Sequence, residues 1–371
     1  MGVPILFYII NKLINKLLKN MKQLEKKMTE PEYRKLPCLS YSGLSNLDTT
    51  PRSIISSNFQ MTDALIYGSA VDVLAFDGKK EFDRKFALMS QDTPSWQLQK
   101  VLEGVIEEVL ASKDDLKELS SNMEDYSDII QVVAASQEYG KGWKPDTVVR
   151  KTIEGAGELF KFTIENKDKL ALSPQQYEYA TNSVQTLYTH EFTKHLFDEQ
   201  DGVDIYYQFP IVFQLEVKGK VVHLKSLLDI LIINHNNKTI QPKDLKTTGK
   251  HVLAFPQSFV QWKYFLQAAL YTKAVEKLIA DEYPEYKDYT IELFEFVVIS
   301  SKDPMRPLMY ECSHDDIYAG TYGGKTTEGK EVRGYMTLIE HYMWHVENEL
   351  YDYPYDVYQA KGKLPLNVFE K

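Results

Sequence analysis

The sequence predicts an α/β fold with a helical insertion. Three observations predict it. Helical patterns occupy residues 62–76 and 93–197, a cluster of strand-like runs fills residues 206–246, and helical spacing returns after Pro256. That order of helix, strand cluster and helix is what a layered α/β domain produces. The chain has 371 residues, 43% of them hydrophobic and 26% charged, which is ample for a buried core in one large domain or two ordinary ones.

Residues 3–10 are apolar, but Lys12, Lys16 and Lys19 interrupt the run well short of the roughly 20 residues needed to span a bilayer. The segment reads as a short amphipathic surface helix, as the n- and h-regions of a signal-like peptide, or as the product of an upstream start, with the true beginning at Met21 or Met28. Residues 40–51 open with serines, and Ser40 or Ser42 can accept a backbone N–H as an N-cap. Residues 62–76 place Leu65, Ala70, Val73 and Leu74 near one apolar side. Gly68 and Asp72 lie one turn apart there and share a face.

From about residue 93 to 197 the pattern is helical and acidic, broken by a glycine-rich turn at 140–145 and by Pro174. Residues 206–216 and 220–224 read as a hairpin about Lys218 and Gly219. A second hairpin follows at once, with its turn at Asn236 and Asn237. After Pro256, the apolar residues Phe259, Trp262, Phe265, Leu266, Ala269 and Leu270 have helical spacing. Gln267 and Tyr271 stand at i and i+4 of that helix. Residues 293–300 supply a buried strand, and residues 330–350 a last helix.

The second hairpin carries the chemistry. A turn centred on Asn236 and Asn237 sets Asp229 and Asp244 directly opposite each other, with Cβ atoms about 5 Å apart, where like charges repel. A divalent cation held by carboxylate oxygen offsets that repulsion, and Mg²⁺ favours one or two protein carboxylates, several waters and a substrate phosphate. Lys246 falls on the same face as Asp244, since strand side chains alternate. Asp229 lies within an apolar run, where an unpaired charge is costly. Pro242, inside the second strand, implies an edge position or a bulge.

Other constellations are weaker. His341 and His345 at i and i+4 lack the glutamate of the His-Glu-x-x-His motif and read as core or surface histidines. No phosphate-binding Gly-x-x-x-x-Gly-Lys loop is present, so any motor would be another polypeptide. Cys38 and Cys312 are the two cysteines, which suits a reducing cytosol and leaves no four-cysteine iron–sulfur cluster. The formal net charge is −10, yet residues 215–275 hold nine lysines against three acids. Residues 81–140 hold five basic and thirteen acidic side chains. A basic strip on an acidic body can focus a polyanion.

At these residues the chain resembles the PD-(D/E)XK nuclease superfamily, in particular its exodeoxyribonuclease VIII-like (RecE/RecB-type) branch of phage and prophage exonucleases. Asp229 matches the isolated acid and Asp244-Leu245-Lys246 the acid-x-lysine. Gln267 and Tyr271 match the Gln-x-x-x-Tyr element of the exonuclease branch. Gly68-Ser-Ala-Val-Asp72 is similar to the Gly-Thr-Ala-x-His helix, with aspartate in place of the metal-binding histidine. The resemblance runs from about residue 39 to 369, which favours a start at Met21 or Met28. It implies a restriction-endonuclease-like core over 39–371, a central mixed β-sheet flanked by helices that includes an insertion at about 93–197, after an extension at 1–38.

The resemblance further implies one or two Mg²⁺ or Mn²⁺ ions held by Asp229, Asp244, the Leu245 carbonyl and Asp72. Lys246 would orient water or stabilise the transition state, and Gln267 and Tyr271 would position the phosphate or terminal base. Tyr264, Lys225 and Lys250 are the candidates for substrate contact. The implied activity is digestion of double-stranded DNA ends, 5′ to 3′, for recombination or repair in a phage-infected or bacterial cytoplasm. A single-strand annealing protein and a homo-oligomer are the implied partners, with no membrane. Two other readings use the same residues: a noncatalytic DNA-binding or recombination-assembly protein, and an endonuclease.

Overall fold

The two expected hairpins form one meander. In the computed structural model, β1 (Val203–Val217), β2 (Lys220–Asn234) and β3 (Thr239–Thr248) are successive antiparallel neighbours. β3 then pairs in parallel with β4 (Thr290–Ile291) and β5 (Glu295–Ser300), and β6 (Leu308–Glu311) lies antiparallel on β5. The result is a central mixed sheet flanked by helices. The structure describes residues 22–25, 28–55, 61–89, 94–111 and 119–366, so the apolar run at 3–10 lies outside the described residues. Among the described residues no helix is long and apolar enough to cross a membrane.

Both turns follow from local chemistry. Lys218 and Gly219 have φ of 50° and 74°, the pair of left-handed residues that a two-residue hairpin needs to match strand twist. At the second turn, Asn234 Oδ1 accepts the N–H groups of Asn236 and Asn237 at 3.0 and 3.1 Å. The ladder accordingly starts at Asn234↔Thr239 and runs to Ile230↔Lys243. Residues 220–234 are one strand rather than parts of two. Leu224, Leu228, Ile230, Leu231 and Ile233 are all buried, as in a strand covered on both faces.

Pro242 sits in an interior strand, and the bulge it implied is on the far side. It pairs in register with Leu231 of β2. On its other edge, pairing with β4 ends at Ile240↔Ile291 and pairing with β5 resumes at Lys243↔Glu295. The segment 291–295 is thus one residue longer than the segment 240–243 that it faces, a bulge. The missing proline N–H falls in that gap, leaving the register of β2 and β3 intact.

The chain divides into two units, residues 1–61 with 185–371, and residues 62–184. In the sheet-bearing unit, α1 (Glu30–Lys35) starts at a capping box between Thr29 and Glu32, and α2 (Tyr41–Asn46) is capped by Ser40. The single helix expected after Pro256 is two, α3 (Phe255–Gln261) and α4 (Tyr264–Glu282), separated by Lys263 at φ 57°. α5 (His314–Tyr322) and α6 (Tyr335–Asn348) follow. Leu266, Ala269, Leu270 and Ala274 of α4 join Phe209, Leu228, Leu231 and Phe296 of the sheet in the main core. Part of the expected extension belongs to this unit. Gln23 is buried, its side chain accepting from Val212 N at 2.8 Å and donating to Val212 O at 3.2 Å.

The helical unit contains helices Asp63–Asp72, Gly78–Lys85, Trp96–Ala111, Ser127–Ser136 and Pro145–Glu165. Leu98, Val101, Val105, Ile130, Ala134 and Phe160 form a core of its own. It begins at Thr62, so it includes the Asp72 helix. A parallel strand pair, Phe86–Leu88 with Leu170–Leu172, was not expected, because three-residue strands show no readable periodicity.

α5 approaches α4 closely through Gly320, where an added Cβ would stand 2.1 Å from the Phe265 carbonyl oxygen and 2.6 Å from Ala269 Cβ. Gly320→Ala should lower stability in chemical denaturation by about 1–3 kcal/mol, the usual cost of overpacking. An unchanged denaturation midpoint would refute this account of the helix contact.

Candidate active centre on strands β2 and β3

Asp229 and Asp244 occupy the next step beyond the last ladder pair, Ile230↔Lys243. They are buried, with 9% and 2% of their surface exposed. The ladder stops there because a side chain takes its place: Leu245 N–H donates to Asp229 Oδ2 at 2.7 Å. In an antiparallel strand a residue's N–H and C=O point to the same neighbour. The Leu245 carbonyl therefore also faces the β2 side, next to Asp229.

Each carboxylate is pinned by a neutral amide. Gln267 Nε2 donates to Asp244 Oδ1 at 2.6 Å, and Gln208 Nε2 donates to Asp229 Oδ1 at 2.8 Å. Sequence reading missed Gln208. The signal was available, since Gln208 and Asp229 are equidistant from the Lys218 and Gly219 turn and so must face each other across β1 and β2.

Lys246 Nζ lies 2.5 Å from Asp244 Oδ2. It also lies 4.8 Å from the Tyr264 ring centroid and 5.9 Å from that of Phe296, within range of a cation–π attraction. Burial works against the charge on Lys246, but the carboxylates of Asp244 and Asp229 and the Tyr264 phenol outweigh it and raise its pKa. Lys246 is therefore an ammonium. Burial raises the pKa of the Asp244 carboxyl above the usual carboxylate range, and Lys246 and Gln267 offset part of that rise. Tyr41, another residue not anticipated, has Lys246, Tyr264 and Asp244 as electrostatic neighbours and donates its hydroxyl to the Trp262 carbonyl at 2.5 Å.

The remaining expected residues separate. Tyr271 is a core residue: its ring packs 6.1 Å from that of Phe294, and its hydroxyl bonds the Leu227 backbone two residues before Asp229. It ties α4 to β2, so direct contact with a phosphate is corrected to a supporting part. Burial raises its pKa well above the usual phenol value. Lys225 is also corrected. It is buried, and its Nζ donates to the carbonyls of Tyr33, Arg34 and Leu36 at 3.0, 3.3 and 2.8 Å. All three ammonium protons are thus spent on the end of α1, leaving none for substrate. Lys250 is exposed beyond β3. Asp72 ends its helix in the helical unit and is half-buried.

The basic strip is largely neutralised by acids from elsewhere in the chain. Lys218 meets Glu340, Lys220 Glu347, Lys243 Glu295, Lys263 Asp48 and Lys273 Glu276. The positive face expected from local counting is not what the fold presents. His341 and His345 are core groups, as read: His341 stacks on Tyr355 at 4.2 Å, and His345 Nδ1 meets the Leu350 carbonyl at 2.5 Å.

The donor set of the centre fits a hard divalent cation. Carboxylate and carbonyl oxygens are the ligands Mg²⁺ and Mn²⁺ prefer, and each carboxylate oxygen has two lone pairs, so one remains after each amide bond. Gln267 Oε1 is buried with no hydrogen-bond partner, an acceptor suited to a metal-bound water. Asp229, Asp244 and the Leu245 carbonyl would hold the ion.

Lys225→Met keeps the stem and removes the ammonium. It should destabilise the fold by about 1–3 kcal/mol, the cost of leaving buried carbonyls unpaired, without altering any catalytic rate per folded molecule. A lowered rate at full folding would restore Lys225 to substrate binding.

No protein-family model and no curated protein matches the chain. Among solved structures, a "Putative exonuclease" from Eubacterium rectale matches with a TM-score of 0.45 and 10% sequence identity, over 93% of this chain and 97% of that one. SSO0001 matches with a TM-score of 0.24 and 12% identity, over 66% of this chain and 84% of that one.

Proposed function

We propose that this protein is a divalent-metal-dependent deoxyribonuclease of the PD-(D/E)XK type, and more narrowly an exonuclease that digests double-stranded DNA ends from 5′ to 3′. The observation that supports the reading is the pair of buried carboxylates on neighbouring strands, each held by an amide, with one ammonium in contact. Two acids beside one ammonium give the centre no surplus positive charge with which to hold a phosphate. A bound Mg²⁺ or Mn²⁺ would supply it, lower the pKa of a coordinated water and polarise a phosphate oxygen.

Asp229 and Asp244 bind and orient. Lys246, kept protonated, acts through its charge on the developing phosphorane rather than as a base, a role that counts only where charge builds. Gln267 fixes Asp244, while Tyr271 fixes the strand that presents Asp229. Tyr264 and Lys250 would contact the substrate. A recombination or repair setting goes with this reading, in which a single-strand annealing protein receives the remaining 3′ strand and a homo-oligomer encloses the duplex.

Purified protein with Mg²⁺ or Mn²⁺ should degrade linear duplexes from a labelled 5′ end, leave closed circles whole, and stop when the metal is chelated. Asp244→Asn and Lys246→Ala should each cut the rate by about 10²–10³-fold, the scale of losing a group that stabilises transition-state charge, with folding retained. Cleavage of closed circles would favour an endonuclease. Binding without cleavage would favour a noncatalytic DNA-binding role and overturn the enzymatic reading.

A further inference from the structure

The β1–β2 ladder is regular except at one pair. Tyr207↔Ile230 and Phe209↔Leu228 are in register on either side, and the position between them, Gln208 opposite Asp229, drops out. No residue is inserted, because the same register resumes. Instead Gln208 has φ 45°, a left-handed conformation sparsely occupied by non-glycine residues. Among the described residues no other position inside a strand has one. Strained backbone of this kind persists where surrounding structure imposes it and clusters at functional sites. Here the half-buried Gln208 spends its amide on Asp229 Oδ1 at 2.8 Å.

We infer that Gln208 is a positioning residue of the centre, which fixes the Asp229 carboxylate toward Asp244 for a divalent cation. This rests on the reading of the centre as a metal site. Leu245 N–H holds Asp229 Oδ2 from β3 and the Gln208 amide holds Oδ1 from β1, so the carboxylate plane is set from both neighbouring strands. A neutral donor does this without cancelling the charge that a cation needs; a lysine or arginine at the same place would compete with the metal. The arrangement repeats at Asp244, where Gln267 is the neutral donor. Groups that orient metal ligands in this way typically contribute 10- to 100-fold to metal affinity or activity.

Two substitutions separate the amide from the backbone. Gln208→Gly removes the amide and relaxes the left-handed position, and Gln208→Met removes it while keeping the side-chain volume and the strained φ. Binding of Mn²⁺ alone to the full-length, DNA-free protein, followed by titration calorimetry, should weaken about 10- to 100-fold in both. The melting temperature of Gln208→Gly should be no lower than that of the unsubstituted protein. If Mn²⁺ binding is unchanged in either variant, the inference is overturned and the nuclease reading is untouched. If the unsubstituted protein binds Mn²⁺ in a Gln208-dependent way yet hydrolyses no DNA, the nuclease reading falls and the assignment of Gln208 stands. If it binds no Mn²⁺, both fall.

Discussion

The structure of the centre depends on holding the Asp229 and Asp244 carboxyl groups buried on facing strand positions. Two like charges on facing strand positions repel, and each alone would be costly to remove from water. The fold offsets this with directed donors: one backbone N–H from β3, one amide from β1, one amide from α4 and one ammonium from β3 itself. Each donor comes from a different direction, so no single element can move without exposing or unpairing an acid. The ladder between β2 and β3 stops at the acids because the Leu245 N–H is used by a side chain instead of a strand.

That arrangement explains features elsewhere in the sheet-bearing unit. β2 is covered on both faces, which keeps Asp229 out of water. Pro242 costs no ladder bond, since its nitrogen faces the gap between β4 and β5. The left-handed Lys263 separates α3 from α4. α4 starts at Tyr264 and brings Gln267 to Asp244, while Lys263 itself is anchored to Ser45 O and Asp48.

Charge shows most plainly where local reading stops. Counting lysines between residues 215 and 275 gives a positive strip, but the acids that neutralise it, Asp48, Glu295, Glu340 and Glu347, lie mostly far away in sequence. An ion pair forms wherever the fold brings opposite charges together, whatever their separation along the chain. Lys225 belongs to the same class. Nothing near it in sequence marks it as the cap of α1, because the carbonyls it holds come from residues 33–36.

What the sequence by itself determined is whatever depends on short range and symmetry about a turn. Asn236 with Asn237 and Lys218 with Gly219 specify tight turns through their own backbone and side-chain preferences, and a turn sets the partner of every residue in its hairpin. Asp229 facing Asp244, and Lys246 on the same face, follow from that alone. The tertiary structure decided what reaches the acids from outside the second hairpin: α4 supplying Gln267, the left-handed twist at Gln208, the burial of Tyr271 and the loss of the basic strip to distant acids. Those depend on how separate segments pack. Packing is set by the fit of whole surfaces and the satisfaction of buried polar groups, which no local window of residues contains.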